Sequence, residues 1–379
     1  MHNHLLSTTE DLAVYDRFIR NHPLGSLWQS LEWKRFQEAL GREARIYALM
    51  EETQILASAL VTIDRTAFGF STWDIPRGPL AVSSQQYAAS DLLETIVREA
   101  RQEKCLSIYL SPETPCVLRA AYCVLRPSSR HEQPAATRII DLTLTEEDIL
   151  RQMKPKGRYN ISVAEKNGVR VVESQDIPAF MGLLKQTGLR DNFSFHSARH
   201  YEAFLRELTG SFLFLAFAAS PPNPLSDPTQ HQPERGRTFS ASIHVSERQG
   251  APPSPEASGV VKERGGWGGE AKPVAGLLGV IWGSKAYYYY GASDYAHRAL
   301  MAPYALQWAA MRHARAAGCT TYDLLGVSPP DAPANHLWQG VSVFKEKFGG
   351  SVEIYPPEQE IVLRPVTKTL LQWKRSLLG

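Results

Sequence analysis

Between residues 220 and 273 the composition breaks: nine prolines and seven glycines fall within fifty-four residues, and large apolar groups are scarce. Such a stretch buries too little apolar surface to offset its ordering entropy, so it reads as a loop-like insertion. A folding unit must therefore close around it. The apolar runs on either side, 212–217 and 277–282, fit strands of one sheet. Inside the insertion, 238–245 alternates apolar and polar residues, enough for a peripheral strand or hairpin.

At 379 residues the chain exceeds the usual single domain, so about two domains with sizeable cores are expected. Its 41 Lys and Arg against 39 Asp and Glu leave a formal net charge of +2, which excludes a strong global attraction to polyanions. Any contact with nucleic acid or phosphate must come from a local cluster. Cys105, Cys116, Cys123 and Cys319 are widely spaced without a C-x-x-C pair, so buried free thiols are expected and no metal site. After Met1-His2-Asn3-His4 there is no basic region leading into an apolar stretch, and no run of about eighteen apolar residues occurs anywhere. A cytoplasmic protein is expected.

Ser30 is placed to cap a helix whose Trp33, Phe36 and Leu40 share one face before Gly41 stops it. Stretches 46–50 and 55–63 read as paired strands, and a helix from Ser90 leads into a buried strand at 106–110. Thr145, followed by Glu146, Glu147 and Asp148, starts a helix with its acids set favourably against the dipole. Pro155 interrupts it, and a second short helix from about Gly157 ends at Gly168. Pro303 suits the first turn of a long helix bearing Tyr304, Trp308 and Met311 on one face, with Gly318 past its end and a strand at 321–325. In the run Tyr287-Tyr288-Tyr289-Tyr290, strand alternation would turn two rings to the core and two to a cleft or solvent. The order of elements predicts a mixed α/β protein.

For chemistry, no G-x-S-x-G, H-E-x-x-H or Walker loop is present, and no Ser, Cys or Lys has a base at a suggestive spacing. That suits a transferase whose substrates bring their own reactivity. The pieces Gln29-Ser30-Leu31-Glu32-Trp33, Pro76-Arg77-Gly78-Pro79, Lys154-Pro155-Lys156-Gly157-Arg158-Tyr159-Asn160-Ile161, Thr321-Tyr322-Asp323-Leu324-Leu325-Gly326 and Val343-Phe344-Lys345-Glu346-Lys347-Phe348-Gly349-Gly350 follow one another in an informative order. In this order the chain resembles the FemABX family, aminoacyl-tRNA-dependent transferases that build peptidoglycan cross-bridges.

The resemblance implies an α/β (α+β) fold of two tandem GCN5-related N-acetyltransferase-like domains with a cleft between them. Residues 1–144 plus 351–379 would form the first domain and 145–350 the second, with 220–273 as an insertion. Some relatives carry a coiled-coil arm; no sustained heptads occur here, so the armless type is expected. Implied partners are aminoacyl-tRNA and a nucleotide-linked or lipid-linked peptidoglycan precursor, the latter at the inner face of the plasma membrane. A monomer without cofactor is expected.

Among site residues, Lys345 matches the Phe-Lys pair that the family sets beside the reacting centre, with Phe344 as its companion. A fixed ammonium there would attract the tRNA 3′ end and stabilise an oxyanion; a solvated Lys on a turn is the plain reading. Lys154, Lys156 and Arg158 gather with Tyr159 at a helix start that would attract phosphate, or simply form a solvated charge run. For the precursor's diphosphate, the resemblance maps one cation loosely to Lys34 or Arg35. The other falls near Arg190, His196 and Arg199, where His196 stands in place of the usual Arg. Arg77 either projects a guanidinium from a fixed turn or is structural. Tyr289, Tyr290 and Ser293 would line the substrate path, and Asp323 would orient a substrate amine or the local backbone.

Two other functions stay open: an acetyltransferase-like N-acyltransferase working on another amine, as in polysaccharide biosynthesis, and a binding protein that kept the fold without catalysis. A coenzyme A enzyme of the usual kind would need a pyrophosphate-cradling turn opening a helix. The one partial match, Arg315-Ala316-Ala317-Gly318-Cys319-Thr320, ends a helix instead.

Overall fold

A computed structural model of the protein describes residues 2–66, 68–82, 87–114, 125–130, 132–191, 194–218, 261–262, 272–336 and 338–378. Cys116, Cys123 and the alternating stretch 238–245 lie outside the described residues.

The first sheet is built from β1 (His2–Leu6), β2 (Glu43–Glu51), β3 (Gln54–Arg65), β4 (Ser71–Pro76), β5 (Leu80–Ala81), β6 (Cys105–Ser111) and β7 (Leu125–Pro127), joined by β16 (Gln359–Val362) from the C-terminal end of the chain. Its order is β1-β2-β3-β4-β6-β16-β7, with β5 also on β3. Strands 46–50 and 55–63 of the sequence reading sit inside β2 and β3, paired antiparallel with Ile46 opposite Leu60.

The second sheet holds β8 (Ala136–Asp141), β9 (Arg170–Ser174), β10 (Ser211–Phe217), β11 (Val261–Lys262), β12 (Ala275–Trp282), β13 (Lys285–Ser293), β14 (Thr321–Gly326) and β15 (Ser351–Ile354) in the order β11-β9-β10-β12-β13-β14-β8-β15. The runs flanking the insertion are neighbours, β10 pairing antiparallel with β12. Strand pairing moves the expected division slightly: β8 and β15 belong to the second sheet, though the sequence reading put both spans in the first domain. The helix start at Thr145 and the pair Gly349-Gly350 are conspicuous in sequence, and neither marks where the backbone changes sheets.

In each sheet a parallel pair of strands flanks a helix, and the second sheet also holds the short parallel pair β9 and β11. In the first, β4 and β6 flank α3 (Ala88–Gln102); in the second, β13 and β14 flank α8 (Ala302–Ala316). Helix α3 begins two residues before the expected Ser90 and buries Leu92, Leu93, Ile96 and Val97. Fully burying an aliphatic side chain is worth about 1.5–3 kcal/mol, so these four residues are the main hold of α3 on its sheet. Helix α8 carries Pro303 in its first turn and ends before Gly318, whose φ of +83° suits glycine.

Local signals placed two further helix starts. Ser30 accepts a hydrogen bond from the Trp33 amide and opens α2 (Leu31–Ala39). Thr145 does the same from Asp148 for α4 (Glu146–Gln152). The following helix, α5 (Pro155–Lys166), starts at the proline and not at Gly157. Proline lacks an amide hydrogen, which is no loss in a first turn. The remaining helices are α1 (Thr9–Asn21), α6 (Ile177–Asp191), α7 (Ala198–Glu207), α9 (Gln339–Lys345) and α10 (Pro365–Leu378). Cys105 and Cys319 are buried free thiols, and burial pushes them up to about 12 and about 11.

Each sheet has its own core: Trp73, Ile96 and Ile108 in the first, Phe214, Met311 and Tyr322 in the second. A third core is shared. Trp28, Trp33 and Phe36 of the first half pack in one cluster with Tyr201, Phe204 and Tyr287 of the second. An apolar boundary of this kind ties the two halves into one body and fixes the cleft at its edge.

Candidate functional site

The tyrosine run does not alternate as expected. The β12–β13 register slips by one residue at Leu278/Gly279, so that Leu278 faces Tyr290 and Gly279 faces Tyr288, leaving Tyr289 as an extra residue. A bulge re-aims the side chains beyond it. Tyr287, Tyr289 and Tyr290 therefore pack in the shared core, while Tyr288 alone joins the second-sheet core. Nothing in the sequence announced the slip.

Tyr289 and Tyr290 line a cleft of about 310 Å³ between the halves. Trp33, Phe36 and Arg42 form one wall and His196 and His200 the opposite one. The Trp33 and Tyr289 rings lie 6.2 Å apart across it, and Trp28 Nε1 donates to the Tyr289 hydroxyl at 3.3 Å. His196 stacks on His200 at 3.8 Å, and His200 Nε2 lies 2.8 Å from the Tyr290 hydroxyl. Burial, His196 and Arg42 push His200 down to about 3, so it is neutral at pH 7.

The cleft floor carries charges that sequence reading missed. Arg130 pairs with Asp74, reaches Glu358 at 3.5 Å and lies 3.4 Å over the Tyr109 ring. Burial raises the Asp74 carboxyl, against the opposing pull of Arg130. Asp74 and Tyr109 sit opposite each other on the parallel pair β4 and β6, so the fold brings them to one face. Arg130 comes from the linker between the sheets, with no motif around it.

The residues expected to bind diphosphate are arranged differently. Lys34 is engaged by Glu38 one turn on, Arg35 is exposed, and neither lines the cleft. The cations that do line it are Arg42 and Arg130. Arg199 donates from α7 to the Ala39 carbonyl at 2.9 Å, bridging the two halves at the C-terminal end of α2. Ser293 is held by its backbone, its amide donating to Thr187 Oγ1 at 3.1 Å. Of Arg190, only the place in α6 is described.

Lys345 lies behind the tyrosine strand, on the side of Tyr288. Here β13 and β14 pair over three positions, ending at Tyr287 opposite Asp323, and then part. A bulge in β14 follows, between Asp323 and Gly326, with Leu325 at a φ of +55°. It presents the Gly326 carbonyl to Lys345 Nζ at 2.7 Å, and the ammonium stands 5.7 Å from the Tyr288 ring centre. Lys345 is only 6% exposed, at the end of α9, so it is not a solvated lysine on a turn. Burial lowers it to about 8, with Asp323 pulling the other way.

Asp323 accepts from Thr137 Oγ1 and, at 2.6 Å, from the Leu325 amide. Burial raises it to about 6 against the fields of Arg77 and Lys345. Thus a cation from each half acts on one carboxylate. Arg77, at a φ of +53°, is 2% exposed, lies 3.7 Å over Tyr355 and 5.6 Å over Trp28, and donates to the Pro134 carbonyl at 3.1 Å. It is a buried cation at the boundary, without open access to the cleft.

The basic corner adjoins the same segment. Lys154 pairs with Glu346 at 2.5 Å, and its amide donates to the Lys347 carbonyl at 3.1 Å. Gly157 packs on that carbonyl so closely that a Cβ would come within 2.2 Å of it. The start of α5 is therefore covered by the chain after Lys345. Arg158 turns back onto the Met153 carbonyl, while Lys156 stands 5.7 Å from the exposed Tyr159 ring. Phe344 packs on Tyr304 and Phe348 at 5.2 Å each, so its ring supports α9 from the core side.

Two sheets, each with a parallel pair that flanks a helix, and a cleft where they meet define a tandem acetyltransferase-like acyltransferase. The FemAB family model matches residues 9–122, 126–232 and 257–372, and the chain belongs to the FemAB family. A lipid II:glycine glycyltransferase of Staphylococcus saprophyticus is 25% identical over 372 residues, covering 89% of this chain and 88% of that protein. Its counterpart from Staphylococcus aureus is 24% identical over 404 residues, covering 96% and 94%. Among solved structures, FemX superposes with a TM-score of 0.72 at 19% identity, over 98% of this chain and 99% of that one. A tandem GNAT protein from the clavulanic acid biosynthesis pathway reaches 0.50 at 9% identity, over 96% and 98%.

Proposed function

We propose that this acyltransferase moves an amino acid from aminoacyl-tRNA to the stem-peptide amine of a peptidoglycan precursor in the cytoplasm, with a lipid-linked precursor as acceptor. The buried ammonium of Lys345, at the point where β13 and β14 part, carries this reading. The relatives that match along nearly the whole chain are named for glycine transfer to lipid II, which favours this acceptor over another amine.

In this reading the aminoacyl ester meets Lys345 where the pairing of β13 and β14 ends, and the acceptor reaches it from the aromatic cleft. The acceptor amine attacks the ester carbonyl, and the negative charge that builds on its oxygen falls to Lys345. Collapse then forms the amide, breaks the ester C–O bond and returns the ribose hydroxyl, with the amine's proton leaving to water or the ribose oxygen. No covalent enzyme intermediate is needed. Positioning and one desolvated charge supply the acceleration.

Lys154 and Lys156, at the start of α5 beside the segment that follows Lys345, hold tRNA phosphates in this reading. Arg42 and His196, at the cleft wall, take the precursor's diphosphate, Arg42 replacing the Lys34 or Arg35 expected from sequence. Offering the purified protein a mixture of charged tRNAs with nucleotide-linked and lipid-linked acceptors tests the reading. Labelled amino acid should appear on the stem peptide of the lipid-linked form, and label on neither acceptor would refute it.

A further inference from the structure

Helix α9 grips one residue from both its ends. Trp338, at its start, lies so close on Gly326 that a Cβ there would come within 2.2 Å of the indole ring. Lys345, its last residue, donates to the carbonyl of the same Gly326. Between them Ser342 Oγ accepts from the Ser328 amide at 2.7 Å. Positions 338, 342 and 345 follow at spacings of four and three, which puts them on one helix face. That face is applied to the chain as it leaves the β14 bulge.

Trp338 is itself held. Its amide donates to His336 Nδ1 at 3.2 Å, and its carbonyl accepts from the Ser342 hydroxyl at 2.7 Å and the Ser342 amide at 2.9 Å. His336 Nδ1 also stands 3.0 Å from Ser328 Oγ, so Ser328, His336 and Ser342 together brace its backbone. The outer side of α9 is open, with Val341 and Val343 exposed. Seven residues are too few for a helix to stand alone, so the contacts at 326 and 328 decide where Lys345 points.

We infer that Trp338 is a positioning residue for Lys345: pressed on Gly326, its ring fixes the carbonyl that receives the ammonium and keeps bulk water from it. The placement stands on the contacts themselves; its use in aminoacyl transfer rests on the function proposed above.

Losing the ring has an effect of definite sign. Burial is the larger influence on Lys345 and lowers it to about 8, while Asp323 acts in the opposite direction. Water admitted beside the ammonium favours the charged form, and it can replace the carbonyl if Gly326 shifts. The titration should therefore move up. Among the described residues the ammonium faces Asp323 of β14, raised to about 6, and Tyr288 of β13, pushed up to about 12, so neither changes charge near pH 8. Glu346 is turned to Lys154, Lys347 to the Tyr304 hydroxyl, and His336 lies beside Trp338 at the other end of α9.

Trace acetylation of the full-length protein by acetic anhydride over a range of pH, read by mass spectrometry on the Lys345 peptide, follows the ammonium without relying on transfer. In Trp338→Ala the midpoint should rise by about one pH unit, and labelling above the midpoint should be faster. Trp338→Phe keeps a ring on Gly326 and should stay near the wild type. Gly326→Ala, whose methyl would push the indole aside, should move the midpoint in the same direction as Trp338→Ala and decides the matter if that variant does not fold. Equal midpoints and equal labelling in wild type and these variants, including no labelling of Lys345 in any, overturn the inference. So does a lower Tm in Trp338→Ala with the midpoint unmoved, because the ring would then only pack. A midpoint that moves in a protein without aminoacyl transfer removes the proposed reaction and leaves this inference standing; transfer with the midpoint indifferent to Trp338 does the reverse.

Discussion

Lys345 donates its ammonium to the carbonyl of Gly326 at 2.7 Å, from the last turn of α9 into a bulge of β14. A neutral lysine would be cheaper to bury here, and the Asp323 carboxylate opposes that tendency. Lys345 thus remains mainly protonated at pH 7 in a site from which water is largely excluded.

If that charge stabilises the oxyanion, its loss should show in turnover. Lys345→Ala is expected to lower kcat at least about tenfold, or roughly 1.4 kcal/mol of transition-state stabilisation. Single-turnover transfer with saturating charged tRNA measures it, and circular dichroism checks that the fold survives.

The pH dependence has a definite sign. Lys345 loses its proton as pH rises through about 8, so the wild-type rate should bend downward there. In Lys345→Arg the guanidinium stays charged, and whatever activity remains should lack that bend. The acceptor amine's own titration is common to both proteins and cancels in the ratio of their rates.

Asp323 raises the Lys345 pKa, so removing its charge should move the same bend to lower pH. Asp323→Asn keeps an acceptor for the Leu325 amide, which separates a charge effect from collapse of the bulge. A rate profile superimposable on the wild type would exclude the coupling.

Gly157→Ala pits two effects against each other. Alanine in a helix is favoured over glycine by about 1 kcal/mol. Here the added Cβ would lie 2.2 Å from a backbone carbonyl that cannot rotate away, and overpacking costs about 1–3 kcal/mol. The clash should win, lowering Tm in a thermal scan and displacing the turn after Lys345.

Arg42→Ala should raise KM for the acceptor about ten- to 150-fold and leave KM for charged tRNA unchanged. Loss of a charge-assisted contact of about 1.5–3 kcal/mol gives this range. Steady-state kinetics with each substrate varied in turn reads the split.

Much of the fold was written locally. Ser30 and Thr145 capped the helices they were expected to cap, and the apolar runs flanking the insertion became neighbouring strands. Caps and strand patterns act within a few residues, so sequence carries them. The site was less legible because it depends on register and tertiary approach. The extra residue at Tyr289 decides which rings face the cleft, and no local feature marks it. Arg130 and Asp74 meet only once the linker folds across β4, and Arg42 takes a wall that Lys34 and Arg35, on α2 itself, turn away from. The order of motifs marks Lys345; its burial, which gives the charge its effect, is set by tertiary packing that no local pattern carries.

The most direct test of the central claim is single-turnover transfer of labelled amino acid from charged tRNA to a precursor's stem peptide, run side by side with wild type and Lys345→Ala. Label should reach the peptide amine with wild type and at least about tenfold more slowly with the variant. Equal rates in the two proteins, or no label on the peptide with either, would contradict it.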